Sequence, residues 1–281
     1  MRSGKYLLVI LFMLIVFAIL IGRFPGIPGV LHLDSVSGLT VAEPVALPTV
    51  TTMDSLVIKK QPSKSKEEQP EPLNKPVRVA NPDSSYVFQN MNPDGSPVTF
   101  SPCRPVHFVI NPENAPANGE TLIMKTIGKV SNATGLTFVY DGVSQESPSK
   151  SRNGYQPKTY GDRWAPILIA WASLKSKPGD SADMVGEATS YQLVRGNGFA
   201  HYVTGQVVLD QKQILRMNEQ YGQNITGSVI EHEMGHLIGL GHTAERNELM
   251  YHETQIGVSE YQAGDLTGLA ELGQGACAPD L

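Results

Sequence analysis

The chain has 281 residues, 41% of them hydrophobic and 17% charged, enough to bury one sizeable core with accessory segments to spare. Its formal net charge is -5 at pH 7. It therefore lacks the basic footprint of a nucleic-acid binder, and nucleic acid is excluded as a partner.

The N-terminus reads MRSGKYLLVILFMLIVFAILIGRFPG, with Arg2 and Lys5 ahead of an uncharged apolar run from Tyr6 to Gly22. This is the outline of an export signal. The run sits near the lower limit for spanning a bilayer, and no small-x-small cleavage site follows it. Residues 1–23 are thus expected to be an uncleaved membrane anchor, with a cleaved signal as the alternative. Most of the flanking positive charge lies on the N-terminal side, which keeps that end in the cytoplasm. The remainder is expected outside, either anchored by a single pass to the cell membrane or secreted after cleavage.

Residues 24–100 offer little core material. FPGIPGVL is rich in Pro and Gly, and Lys59 to Pro76 reads KKQPSKSKEEQPEPLNKP. Mixed charge without apolar periodicity describes an extended, solvated stalk, with a propeptide as the other reading. From Cys103 the texture changes. Val106, Phe108 and Ile110 alternate as a strand, and Ile123, Ile127, Val130 and Thr134 keep helical spacing up to Gly135. LTFVY (Leu136–Tyr140) reads as a strand closed by the Asp141-Gly142 turn, and ILIAW (Ile167–Trp171) as a buried strand. After a polar loop, YVTGQVVLD (Tyr202–Asp210) supplies one or two more. Helical character returns near Ile225, and Ser259 with Gln262 forms a capping-box pattern before Leu266, Leu269 and Leu272. Residues 101–281 thus make one α/β (α+β) domain. Its two cysteines, Cys103 and Cys277, occupy no metal-ligand spacing. In an exported chain they are expected to pair, the alternative being two buried thiols.

The chemistry concentrates in HEMGHLIGLGH, His232 to His242. Residues four apart share a helix face, so His232 and His236 can aim at one ion. Glu233 lies beside them, angled to act as general base on a metal-activated water. Gly239 permits the left-handed conformation that ends a helix, and the reversal returns His242 as a third ligand. Three protein ligands with one open position is the pattern of catalytic zinc. A bare HExxH arises by chance in about one chain in a hundred of this length, whereas the added Gly and His make the pattern about a hundredfold rarer. Solvated histidines on a buried helix would leave the spacing unexplained.

These residues resemble the HExxHxxGxxH signature of metzincin metalloproteases. Asn247-Glu248-Leu249-Met250-Tyr251 supplies the methionine turn, and the GLGH ending with the Met-Tyr pair looks most like the matrixin branch. SEYQAGDLTGLAELG is similar to the last matrixin helix. The specific match runs from His232 to Gly273, with a weaker one from Cys103 onward. The resemblance implies a metzincin-like catalytic domain with a twisted, mostly parallel sheet, an active-site helix and a C-terminal helix. It further implies one zinc on His232, His236 and His242, with Glu233 as base and then proton donor and Met250 packed beneath. An edge strand would pair with extended substrate, and GFAHYVTGQVVLD stands in the right place to be it. There are departures. His252 stands where matrixins usually have proline, no cysteine precedes Cys103 to act as a propeptide switch, and no calcium loop is evident. Asp180, Asp183 and Asp210 are available as calcium oxygens, but solvated loop carboxylates are the ordinary reading. His32, His107 and His201 read as tether or strand residues. The expected activity is zinc-dependent endopeptidase, by a monomer acting on peptide or protein. The alternatives are a cell-wall zinc amidase or a non-catalytic, zinc-stabilised surface binding module, and Glu233 argues against the latter.

Overall fold

The structure, a computed structural model, describes residues 61–174, 184–222, 224–255 and 257–281. The expected anchor, the first part of the stalk with His32, and the loop carboxylates Asp180 and Asp183 lie outside these residues. Among the described residues, no helix is long and apolar enough to cross a membrane. The strands are β1 Thr99–Phe100, β2 Val106–Asn111, β3 Phe138–Val143, β4 Ile167–Trp171, β5 Gly186–Val194 and β6 Ala200–Leu209. The helices are α1 Gly119–Thr134, α2 Pro157–Tyr160, α3 Gln211–Tyr221, α4 Thr226–Ile238 and α5 Ala263–Leu272.

Strands β6, β4, β2 and β3 lie side by side in parallel, β1 runs parallel to the start of β6, and β5 covers the other side of β6 antiparallel. Parallel strands sandwiched between layers are buried on both faces and read as continuous apolar runs. ILIAW is such a run, and it forms β4 at its expected place. Phe108, Ile110, Ile167, Ile169, Val207 and Leu209 share one core with Ile123, Ile127 and Val130 of α1 and Ile230 and Met234 of α4. Val109, Leu168 and Ala170 form a smaller cluster with Tyr160 of α2. Helix α1 stops where its spacing predicts: Gly135, at φ 74°, donates its N–H to the Ser131 carbonyl.

Several local expectations change. Strand β3 runs through Asp141-Gly142 to Val143, because a register shift opposite Phe108 and Ile110 accommodates Gly142 at φ 99°. GFAHYVTGQVVLD is not an edge strand. It forms β6, buried along its whole length, and β5 is the edge. Within β5 only Ala188 and Tyr191 are buried, so GEATSYQLV lacks a clean alternation and reads as loop. The capping box of α5 is formed by Gln262 and Asp265, three residues beyond the expected start. Helix α3 also escapes the hydropathy pattern, with Ile214 its one buried residue. The Asp210 carboxylate caps it by accepting the N–H of Gln213 at 3.1 Å and also takes that of Leu174 at 2.8 Å, so this candidate calcium oxygen is already engaged.

The segment from residue 61 to 98, read from sequence as stalk, lies along the domain. Ser65 donates its N–H to the Leu281 carbonyl, Gln69 to Cys103, Leu73 to Pro102 and Val77 to Asn132, all at 2.7–3.0 Å. The Glu68 carboxylate accepts from Ser101 Oγ and the Ala278 N–H, both at 2.6 Å, and faces the buried Arg104. These contacts use backbone and single polar side chains, which leave no hydropathy period. Beneath them Cys103 and Cys277 form the expected disulfide, with Cα atoms 5.3 Å apart. Closing a loop this long removes unfolded-state entropy worth about 5 kcal/mol in the chain-entropy account.

A fragment starting at residue 98 loses these bonds and leaves Arg104 without its carboxylate. At about 1 kcal/mol per net hydrogen bond, the six bonds lost should make it about 6 kcal/mol less stable than one starting at residue 61. Coincident denaturant midpoints for the two fragments would contradict this packing.

Candidate metal centre

Helix α4 buries Val229, Ile230, Met234, Leu237 and Ile238 against the sheet. That face fixes the rotation of the helix and brings His232 and His236 to the surface of the core. At its end Gly239 takes φ 127°, and the N–H groups of Gly239 and Leu240 both reach the Gly235 carbonyl, at 3.1 and 2.9 Å. The chain then doubles back, and His242 meets the other two histidines. Its Nε2 lies 3.3 Å from Nε2 of His232 and 3.1 Å from Nε2 of His236.

Those separations have a direct meaning. Two nitrogens about 2.05 Å from a tetrahedral zinc lie about 3.3 Å apart. Ligand atoms of His232, His236 and His242 all fall within 4.8 Å of one another, as required of a group that could hold one ion. The far ring nitrogens are also arranged for it. His232 Nδ1 donates to the Leu249 carbonyl at 2.8 Å, and His236 Nδ1 to the Leu240 carbonyl at 2.7 Å. A proton held on Nδ1 leaves the Nε2 lone pair free for a metal.

All three rings favour the neutral form a metal needs. Burial, then the neighbouring His232 and His242, holds His236 well below the usual histidine range. Burial likewise lowers His232, partly offset by the Leu249 carbonyl. His242 is the most open of the three. The desolvation its ring does suffer, followed by His232 and His252, lowers it to about 4.

Glu233 is buried, and burial with the nearby Glu187 pushes its carboxyl up to about 8. Gly186, the first residue of β5, makes room for it: a Cβ there would lie 2.5 Å from Glu233 Cγ and Oε1. The edge strand therefore runs directly past the carboxyl, and Ser190 Oγ ties it to the Leu237 carbonyl at 2.6 Å.

Met250 is buried under the histidines. A Cβ on Gly235, between His232 and His236, would lie 2.5 Å from its Sδ. The turn carrying Met250 hangs on Asp265 of α5, whose carboxylate accepts the N–H groups of Leu249, Met250 and Gln262 at 2.7, 3.2 and 3.0 Å. Burial, with a further push from Glu248, raises the Asp265 carboxyl to about 6 against those three bonds.

His252 packs at a 45° tilt against Tyr251 with ring centroids 4.3 Å apart, and its ring stands 6.3 Å from that of His242. His107 is held by Asp141 on β3 at 2.8 Å, and His201 is buried in β6; neither belongs to the cluster. Three supporting residues have no sequence signal of their own. They are Gly186, Asp265 and Gln89, whose side-chain amide lies 3.1 Å from His236 Nδ1.

A family model described as Matrixin matches residues 156–272, which span β4 to α5 and every residue of this cluster. No curated protein matches the chain.

Gly239→Ala places a side chain at φ 127°, with its Cβ 3.1 Å from both Leu272 Cδ2 and Tyr202 Cε2. It should lower stability by about 2 kcal/mol or more. An unchanged denaturant midpoint would show that the reversal is not strained in this way.

Proposed function

We propose that this matrixin-like metalloendopeptidase holds its catalytic zinc on His232, His236 and His242 and uses Glu233 as the general base for peptide-bond hydrolysis. The observation that carries the reading is the convergence of three Nε2 atoms, at 3.1 and 3.3 Å, next to one buried carboxyl.

A bound zinc would supply Lewis-acid polarisation of the scissile carbonyl and acidify the attacking water. The protein supplies the rest. The Glu233 carboxylate, buried between α4 and the start of β5, takes the proton of that water as it attacks. Glu233 then returns the proton to the departing amide nitrogen, so no proton is lost or gained by the enzyme over the cycle. Its raised affinity for a proton suits both halves, because a base that remains fully ionised would be a poor donor in the second. A cation beside the carboxyl draws that affinity down toward neutrality. The edge of β5, unpaired among the described residues, fits an extended peptide, whose main chain would add to the sheet and lie past Glu233. Met250, packed against Gly235, supports the helix turn that bears two of the ligands.

We further propose that residues 1–23 hold the enzyme at the cell membrane with the catalytic domain outside. The support is the apolar run behind Arg2 and Lys5, together with a disulfide that requires an oxidising compartment.

In Glu233→Gln the zinc content should equal that of wild type, measured by atomic absorption. Turnover of an unstructured protein substrate should fall by about 10² to 10⁴. Wild-type turnover in that variant would remove Glu233 from the mechanism, and zinc-free wild-type protein would remove the site.

A further inference from the structure

The turn that returns His242 is not held by α4 alone. An extended piece from before the domain pairs with it: Gln89 donates its N–H to the Gly239 carbonyl at 2.9 Å, and Gly241 donates to the Val87 carbonyl at 2.7 Å. Phe88 and Leu240 face each other across this antiparallel bridge. The piece is anchored on its other side as well. Asn90 Nδ2 donates to the Tyr202 hydroxyl at 2.9 Å, and the Asn90 carbonyl accepts the Val98 N–H at 2.9 Å. Gln89 is thus fixed at its backbone while its side chain reaches the ring of His236.

We infer that Gln89 is a positioning residue of the metal centre, acting through His236 Nδ1 on its capacity to hold zinc. The inference rests on the three-histidine reading above and concerns what tunes it. When Nε2 of His236 faces the ion, Nδ1 carries the proton and needs acceptors. Leu240 supplies one. The Gln89 amide supplies a second once it is turned end for end: Nε2 is the atom placed 3.1 Å from Nδ1, and a half-turn about the last side-chain bond puts the carbonyl oxygen there instead. The two ends of an amide have nearly the same shape, and the protonated Nδ1 selects between them. Two acceptors on Nδ1–H raise the electron density at Nε2 and fix the ring plane. Outer partners of this kind affect metal affinity by roughly 10- to 100-fold. Gln89 is exposed, so its side chain can be changed without opening a cavity.

The test compares zinc affinity of the full chain, by competition with a chromophoric chelator, in wild type, Gln89→Leu and Gln89→Glu. The Leu variant keeps the bulk and loses the acceptor. It should bind zinc about tenfold more weakly, while its metal-free form melts within roughly 2 °C of wild type. The Glu variant restores an acceptor and should regain wild-type affinity or exceed it. Equal zinc affinity in the Leu variant overturns the proposal, as does a Glu variant no better than Leu. A metal-free Leu protein that melts much lower, with zinc affinity lost in step, would mark Gln89 as a structural tie and also overturn it. Wild-type protein that binds no zinc would instead sink the three-histidine reading, and this proposal with it.

Discussion

The reversal of the chain at Gly239 is the constraint on which the site depends. Had α4 continued, residue 242 would lie about 9 Å further along the axis than residue 236. Instead Nε2 of His242 stands 3.1 Å from Nε2 of His236. The same reversal turns the Leu240 carbonyl back onto His236 Nδ1, so one backbone event both delivers a third histidine and sets the tautomer of the second. The conformation, at φ 127° with a packed ceiling of Leu272 and Tyr202, admits glycine and little else.

Around that corner, polar groups do the positioning and apolar ones the holding. Asp265 and Glu248 are almost fully buried, yet each is spent on backbone N–H groups: Asp265 on Leu249, Met250 and Gln262, Glu248 on Asp265 itself. Buried carboxylates are costly unless satisfied in this way, and satisfied they fix one geometry. The geometry fixed here brings Met250 under Gly235 and the Leu249 carbonyl onto His232. Helix α5, remote from the three imidazoles in sequence, is thereby part of what orients them.

The sheet core was readable because its residues repeat. ILIAW and the Ile123–Ile127–Val130 spacing each declare a buried face, and HEMGHLIGLGH declares a convergence through a period of four followed by a glycine. What escaped was whatever lacks a period. Strand β5 is an edge with one face half open, so Ala188 and Tyr191 alone cannot mark it, and the more regular apolar pattern of the fully buried β6 reads as the edge in its place. Residues 61–98 bind through carbonyls and N–H groups that every sequence possesses, with single polar side chains such as Glu68, Asn90 and Asn92 as added anchors. Gln89 and Gly186 act by proximity across the fold, and proximity between distant segments leaves no mark in the local order of residues.

In the proposed site, three imidazole nitrogens and no other protein atoms hold one zinc. X-ray absorption at the zinc edge on the purified, zinc-loaded protein reads this directly. The account predicts three nitrogen scatterers with imidazole multiple-scattering at about 2.0–2.1 Å and a fourth, non-protein oxygen. A shell containing sulfur near 2.3 Å, or one with fewer than three imidazoles, would contradict it.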